Sequence, residues 1–268
     1  IKMEELSETE QISAKLLKFV LEDQVDYYKF ERFLNPLLSD SGFHSSLNYQ
    51  IRPIYNDSDA KEYLKKLNAL PQFVDQHFVN LREGLAKGVS QPKVIFKGYE
   101  STYNDHIVAD FEESPFYQPF KKLPSIFSER YKDSILTAAK QVIEKKVVPQ
   151  FKRIKTFFET EYLPKTRTTL GVSEITNGAA YYQNRINFYT TSSQYTADDI
   201  HQIGLKEVAR IKAEMQHIII NLNFKGSFSD FLKFLRTDKQ FYATSPKQIL
   251  MIARDMAKRA DAQLPKFF

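Results

Sequence analysis

Residues 135–164, ILTAAKQVIEKKVVPQFKRIKTFFETEYLP, form the most strongly periodic segment of this 268-residue chain. Apolar side chains return at every third or fourth position: Ile135, Ala139, Ile143, Val147, Phe151, Ile154, Phe158 and Tyr162. This spacing predicts one long amphipathic helix whose apolar stripe faces a core. Pro149 should kink the helix because its ring removes an N–H donor, and Pro164 should end it.

Helical signals continue towards the N-terminus of this segment. Ser7 and Glu10 have the spacing of a capping box. Residues 56–58 offer N-caps for a helix that should run to Leu70, and Pro71 should begin the next helix in its first turn. That next helix carries an apolar face made of Val74, Phe78, Leu81 and Leu85, and Gly88 is a left-handed C-cap candidate.

Two further helix starts lie towards the C-terminus. Thr196 with Asp199 is typical of a capped start, and Ser245-Pro246 places proline at the favoured first position of a last helix. A short helix is expected at residues 228–235. The helix after Thr196 should have a buried stripe, made of Leu205, Val208, Ile211, Met215, Ile218 and Leu222.

Some segments are expected to be irregular. Residues 49–54 allow a short strand or an extended loop, and residues 166–195 favour a short hairpin or a site-bearing loop. Together the patterns predict a mainly α protein, a multi-helix array with long kinked amphipathic helices and at most a short β-hairpin. We expect an N-terminal helical subdomain at residues 1–110 and a second helical region at residues 111–268, or one continuous domain.

Composition excludes several classes of protein. The absence of cysteine removes disulfides, cysteine-ligated metals and thiol nucleophiles. The longest apolar run, residues 249–253 (ILMIA), is far shorter than the ~20 residues of a membrane span. A net charge of +5 is too mild to indicate nucleic-acid binding. Residues 121–167 hold 12 basic and 5 acidic side chains, which favours a solvated basic face over a phosphate-binding surface.

Motifs for metal, phosphate and acyl chemistry are absent from the sequence: H-E-x-x-H, G-x-G-x-x-G, the P-loop and G-x-S-x-G. Glu214 and His217 match half of a di-iron signature, for which a solvated pair one helical turn apart is the simpler interpretation. In residues 177–185, a glycine precedes two tyrosines and an arginine, groups that suit binding a carboxylate or polarising a carbonyl. The alternative is one tyrosine packed in the core and the other exposed.

Several segments, taken in order, resemble the bacterial domain of unknown function 885 family. They are residues 63–71 (YLKKLNALP), 80–88 (NLREGLAKG), 114–120 (SPFYQPF), 178–182 (GAAYY), 195–215 (YTADDIHQIGLKEVARIKAEM), 236–242 (RTDKQFY) and 257–265 (AKRADAQLP). The resemblance implies a mostly helical, zinc-metallopeptidase-like protein of the bacterial cell envelope or periplasm, although a cytoplasmic location stays open.

The resemblance also implies a metal motif, H-E-x-x-P-G-H-H, that this sequence lacks. We therefore expect no catalytic or metal-binding residue here, and an N-terminal, cleft-forming region that is inactive alone. Zinc and a peptide substrate are expected for the complete protein. A non-catalytic helical module that binds a protein or peptide is the alternative. The substrate-binding candidates are Gly178, Tyr181, Tyr182, His201, Arg236 and Asp238; for His201, a cap or core role is the competing interpretation.

Overall fold

The computed structural model describes residues 2–267, and contacts divide the chain into two compact units, unit one (Ile1–Gln194) and unit two (Tyr195–Phe268). Unit one holds α1 Glu8–Lys29, α2 Asp57–Ala86, α3 Ser101–Asn104, α4 Glu129–Val142, α5 Val148–Thr156 and α6 Gly178–Thr190. Unit two holds α7 Ala197–Asn221, α8 Phe228–Thr237 and α9 Pro246–Asp261. The prediction of a mainly α protein is confirmed.

Short 3₁₀ helices connect these elements. They are Met3–Glu5, Arg32–Leu34, Ser45–Gln50, Lys93–Phe96, Phe111–Glu113, Pro115–Lys122, Leu163–Lys165, Val172–Glu174, Lys239–Phe241 and Leu264–Lys266. Residues 2–267 contain no β-strand, and their isolated bridge joins Pro92 to Arg167. The strand considered at residues 49–54 is therefore wrong: a 3₁₀ helix ends at Gln50 and irregular backbone follows.

α4 and α5 belong to one continuous helical run from Glu129 to Lys165. π segments occupy Ile143–Val147 and Phe157–Tyr162, and all eight residues of the predicted stripe are buried. Pro149 follows the first π segment, whose wider turn accommodates a residue without an N–H. The kink predicted at Pro149 stays a prediction, and the run ends one residue after Pro164.

α2 continues through Pro71, so the predicted break at Leu70 is wrong. The missing N–H and the ring of an internal proline cost about 3 kcal/mol. Leu67, Leu70 and Val74 are buried on both sides of the proline, and burying each such side chain stabilises by about 1.5–3 kcal/mol. Packing along the whole face of α2 therefore outweighs the local cost.

The predicted C-cap of α2 is present as a Schellman motif. Gly88 has a φ of +73°, and its N–H donates to the Leu85 carbonyl at 3.1 Å. The Val89 N–H donates to the Gly84 carbonyl at 2.7 Å. These two bonds satisfy carbonyls that a helix end otherwise leaves unpaired, and the left-handed backbone explains the glycine.

The core of unit one is built from α2, the α4–α5 run and the segment between them. Tyr103 and Phe116 from that segment are fully buried, and the Tyr63 hydroxyl donates to the Phe116 carbonyl at 3.0 Å. Phe78 of α2 stacks on Phe157 with ring centroids 4.1 Å apart. The boundary expected at residues 110/111 therefore lies inside one hydrophobic cluster, while the contacts divide the chain after Gln194.

α1 and α6 pack against each other within unit one. Phe19 and Phe188 stack with centroids 5.0 Å apart, and the Asn184 amide donates to the Asp26 carboxylate at 2.6 Å. Arg185 forms an ion pair with Asp23 in which both side chains are nearly buried. α6 lies in the segment for which a hairpin or loop was predicted, so that prediction is wrong.

Unit two begins with the capping box predicted at Thr196 and Asp199. α9 begins at Pro246 after the Ser245 N-cap, as expected. The predicted buried stripe of α7 is wrong, because each of its six residues is exposed. Ile219 is buried, and an aromatic cluster of Phe224, Phe231 and Phe234 lies near that end of α7. Within residues 2–267, no helix is long and apolar enough to cross a membrane.

Candidate functional site: a cavity beside helix α6

The predicted Gly/Tyr segment forms the first turns of α6. Asn177 precedes the helix with a φ of +57°, a left-handed conformation that asparagine tolerates better than most residues. Gly178 is buried, and a Cβ at this position would lie 1.9 Å from the Val172 carbonyl oxygen. Close approach of the backbone to Val172 therefore explains why residue 178 is glycine.

The two tyrosines of the segment have different surroundings. Tyr181 is half-buried, its ring 5.7 Å from that of Phe30 and 5.9 Å from the Arg185 guanidinium. Tyr182 is 45% exposed, so it is available to a ligand or to another part of a protein. Tyr181 also lines a cavity, which makes it the predicted residue with the clearest connection to a site.

This cavity has a volume of about 430 Å³ and is formed by three segments of unit one: residues 27–38, 89–91 and 167–181. Three residues of the lining are aromatic, Tyr27, Phe30 and Tyr181, and they are called the aromatic wall below. Leucine, valine and isoleucine side chains make up much of the rest. Arg167 and Asn35 are polar residues of the lining and carry its unusual features.

Arg167 is held firmly by main-chain atoms. Its backbone carbonyl accepts from the Lys93 N–H at 2.8 Å, and its Nε donates to the Ser90 carbonyl at 2.9 Å. Nη1 donates to the carbonyls of Thr169 at 2.6 Å and Gly171 at 2.9 Å. Nη2 makes no hydrogen bond with the described residues. The guanidinium is thus fixed in orientation and retains unused donors.

The charge of Arg167 is not neutralised by an ion pair. Among residues 2–267, no carboxylate lies within 4.0 Å of its guanidinium. Arg167 is half-buried; this burial lowers its pKa, and Glu174 opposes the shift from a distance. The other charged residues of the lining have partners: Arg32 with Asp23 at 3.5 Å, and Glu31 with Lys87 at 2.5 Å.

Asn35 presents a hydrogen-bond acceptor with no donor. Its Oδ1 is buried and has no partner within the described part of the chain. Such an atom costs about 1–3 kcal/mol unless a ligand or water donates to it. Glu31, four residues before, has a φ of +47°, a strained conformation that is often found at functional sites. The cavity thus combines an unpaired cation with an apolar lining, and the unpaired acceptor of Asn35 is buried below the surface.

The remaining predicted residues lie in unit two. His201 is exposed in the first turns of α7. Arg236 is exposed at the end of α8, where its carbonyl accepts from the Tyr242 hydroxyl at 2.5 Å. The Asp238 Oδ1 accepts from the Gln240 N–H at 3.0 Å and caps the 3₁₀ helix that follows. Asp238 therefore has a structural role, and substrate binding by these three residues stays a proposal.

The residues described do not fit a zinc site. Within positions 2–267, no group of three or more His, Asp or Glu side chains could hold a metal ion. His44, His77 and His106 pack among aromatic rings, and burial lowers the pKa of each, to about 3 for His44.

The half-match to a di-iron signature does not assemble a site either. Glu214 pairs with Arg210 at 2.7 Å, while the His217 ring bonds to Asn221 at 3.2 Å. The solvated pair expected between Glu214 and His217 is therefore replaced by two separate interactions along the exposed surface of α7.

Sequence reasoning missed Arg167 and Asn35. Neither lies in a recognisable motif, because the cavity forms from segments more than 50 residues apart in the chain. In the sequence, Arg167 was noted only as the last residue of the basic stretch 121–167. Its distinguishing property, a guanidinium bound to main-chain carbonyls and to no carboxylate, depends on tertiary structure.

The sequence matches the family described as bacterial protein of unknown function, DUF885, over residues 1–268. The chain belongs to this family. A search of curated proteins finds no match to this DUF885 chain. Among solved structures it is similar to a "putative lipoprotein" from Colwellia psychrerythraea, with a TM-score of 0.69 and 23% identity, covering 80% of this chain. At that identity the similarity shows the fold alone, and the match spans 37% of the Colwellia protein.

Proposed function

We propose that this chain is the N-terminal, helical, cleft-forming region of a bacterial zinc-metallopeptidase-like protein of the cell envelope. Residues outside the chain would supply the metal ligands and the catalytic base. Membership of DUF885 supports the bacterial part of the proposal, and the similarity to a "putative lipoprotein" supports the envelope location. The match covers 37% of the Colwellia protein, so a protein of that length has room for residues beyond those matched here. The chain alone would then bind substrate without hydrolysing it.

The exposed stripe of α7 carries the proposal. A capped helix of 25 residues, together with its C-cap residue Leu222, presents six apolar side chains at helical spacing, and each is at least 37% exposed. Burying each such side chain would stabilise the protein by about 1.5–3 kcal/mol. This pattern fits a helix that packs against protein outside this chain. Further exposed apolar residues lie on α1 (Leu16, Leu17, Val20, Leu21 and Val25) and on α9 (Ile249, Leu250, Met251, Ile252 and Met256).

Hydrogen exchange tests whether α7 is covered in a longer protein. The exchange of α7 amides would be measured by mass spectrometry in this chain and in a longer DUF885 protein that contains it. We expect at least about tenfold slower exchange of α7 in the longer protein, since packing raises the free energy of local opening. The segment 135–154 is an internal control because it is already packed. Equal exchange of α7 in both proteins would contradict the proposal.

Peptide hydrolysis tests the catalytic part of the proposal. Tyr182→Phe in the longer protein should lower zinc-dependent hydrolysis with little change in thermal stability, because the side chain is 45% exposed. Tyr189→Phe is the matched control, since Tyr189 is on the same helix and 78% exposed. If the two variants hydrolyse peptide equally well, Tyr182 has no role at a substrate site.

A helical peptide-binding module without catalytic activity is the second candidate function. The cavity beside α6 favours it, because an unpaired guanidinium and an apolar wall can bind a ligand without any metal. Peptide binding by this chain, combined with no hydrolysis by the longer protein, would support this function over the first.

A further inference from the structure

We propose that the cavity beside α6 binds the C-terminus of a peptide whose last side chain is apolar. Arg167 would bind the terminal carboxylate, and the aromatic residues of the lining would contact the side chain. The inference rests on the proposed function only in taking a peptide as the ligand. Arg167 and Tyr181 lie in residues 167–181 of unit one, and Tyr27 and Phe30 lie in residues 27–38.

Arg167 is suited to a carboxylate because it is already in place. Nε and Nη1 are bound by three main-chain carbonyls, at distances between 2.6 and 2.9 Å. Little side-chain entropy would therefore be lost when an anion binds. Nη2 still has two N–H groups to donate, and hydrogen bonds between ionised partners are about twice as strong as neutral ones.

The electrostatics of the lining also favour an anion. The cation of Arg167 is half-buried and has no carboxylate partner among the described residues, whereas a bound carboxylate would provide one. Glu31 also lines the cavity, but its carboxylate forms an ion pair with the Lys87 ammonium at 2.5 Å. The same ammonium also pairs with Glu83 at 2.8 Å. Glu174 lies outside ion-pair distance of Arg167.

The apolar part of the lining distinguishes a peptide with an apolar last side chain from a simple anion. Tyr27, Phe30 and Tyr181 offer aromatic surface to an apolar side chain. A volume of about 430 Å³ is in the range of small-ligand sites and accommodates the end of a peptide rather than a folded partner.

Calorimetric titration of this chain with two ligands tests the proposal. The ligands are N-acetyl-Ala-Ala-Phe with a free carboxylate and the same peptide with a C-terminal amide. We expect the acid to bind at least about tenfold more tightly, which corresponds to about 1.4 kcal/mol from one charge-assisted contact. This comparison changes only the ligand, so it does not depend on a variant that folds.

Two variants test whether the tighter binding of the acid depends on the cavity. Arg167→Gln should abolish the preference for the acid, although it also removes contacts that hold the backbone. Asn35→Asp is nearly isosteric and places a negative charge in the cavity, so it should weaken binding of the acid at least about tenfold. Asn48→Asp is the control, because it adds the same charge at an exposed position.

Equal binding of acid and amide, or no binding of either up to millimolar concentrations, would overturn the proposal. So would acid binding that Asn35→Asp leaves unchanged. If acetate displaces the peptide at the concentration at which the peptide itself binds, the site is a simple anion site and the peptide part of the proposal is wrong. Failure of hydrolysis in the longer protein would contradict only the proposed function, because these titrations measure binding alone.

Discussion

His44 should make the stability of unit one fall as the pH decreases below about 6.5. Its ring is fully buried beside Tyr99, Tyr103 and Phe158. Nε2 hydrogen-bonds to the Thr102 hydroxyl at 2.9 Å, while Nδ1 has no partner within residues 2–267. Burial, with smaller contributions from the other buried histidines, lowers the pKa of His44 from 6.5 to about 3.

The direction of the effect follows from which state of the chain, folded or unfolded, binds the proton. Between pH 6.5 and about 3, the unfolded chain protonates this histidine and the folded chain does not, so the free energy of unfolding decreases as the pH falls. Between pH 7 and pH 5, one such group removes about 2 kcal/mol of stability. Burial lowers the pKa of His77 and His106 as well, and these groups add to the effect in the same direction.

Urea denaturation followed by circular dichroism at pH 7 and pH 5 measures this loss. The decrease in unfolding free energy between the two pH values should be about 2 kcal/mol smaller in His44→Gln than in the wild-type chain. His201→Gln is the control, because it removes an exposed histidine instead of a buried one. If the wild-type chain and His44→Gln lose the same free energy, the reasoning is refuted.

Two further substitutions test the packing of α6. Gly178→Ala should destabilise the chain by about 3 kcal/mol, because its Cβ would lie 1.9 Å from the Val172 carbonyl oxygen. Thermal unfolding measures the loss of stability, and an unchanged Tm would contradict the prediction. Gly204→Ala is the control, with open space around the added methyl group, and should stabilise by about 0.5–1 kcal/mol. Arg185→Gln should destabilise the chain by about 3 kcal/mol, because it removes the main ion-pair partner of the nearly buried Asp23. Limited proteolysis should then cleave α1 faster, and an unaltered cleavage rate would contradict a stabilising role for Arg185.

Local sequence patterns predicted the parts of the fold that depend on local chemistry. The stripe from Ile135 to Tyr162 is buried as its spacing indicates. The caps at Ser7, Thr196 and Ser245 form because their side-chain oxygens reach N–H groups within the same turn. Such contacts need no information from the rest of the chain.

Predictions that depend on packing were less successful. Pro71 did not end α2, because burial of residues on both sides outweighed the lost hydrogen bond. The segment beginning at Gly178 forms a helix although its composition favours a loop. The α7 stripe has the pattern of a buried face, but it is exposed among the residues that the structure describes. A periodic pattern identifies an apolar face and does not identify its partner.

The candidate site shows the same limit. Tyr181 was predicted from its neighbours in the sequence and does line a cavity. Gly178 and Asp238 have structural roles that the sequence did not reveal, and substrate binding by them stays a prediction. Arg167 and Asn35 could not be predicted, because their unpaired atoms are defined by contacts across distant segments.

Peptide hydrolysis by the purified chain tests the central claim most directly. Cleavage of a mixed peptide substrate would be measured with added zinc, and again with a chelator, using a longer DUF885 protein at equal concentration for comparison. The account predicts chelator-sensitive hydrolysis by the longer protein and none by the present 268 residues. Chelator-sensitive cleavage by these residues alone would contradict it.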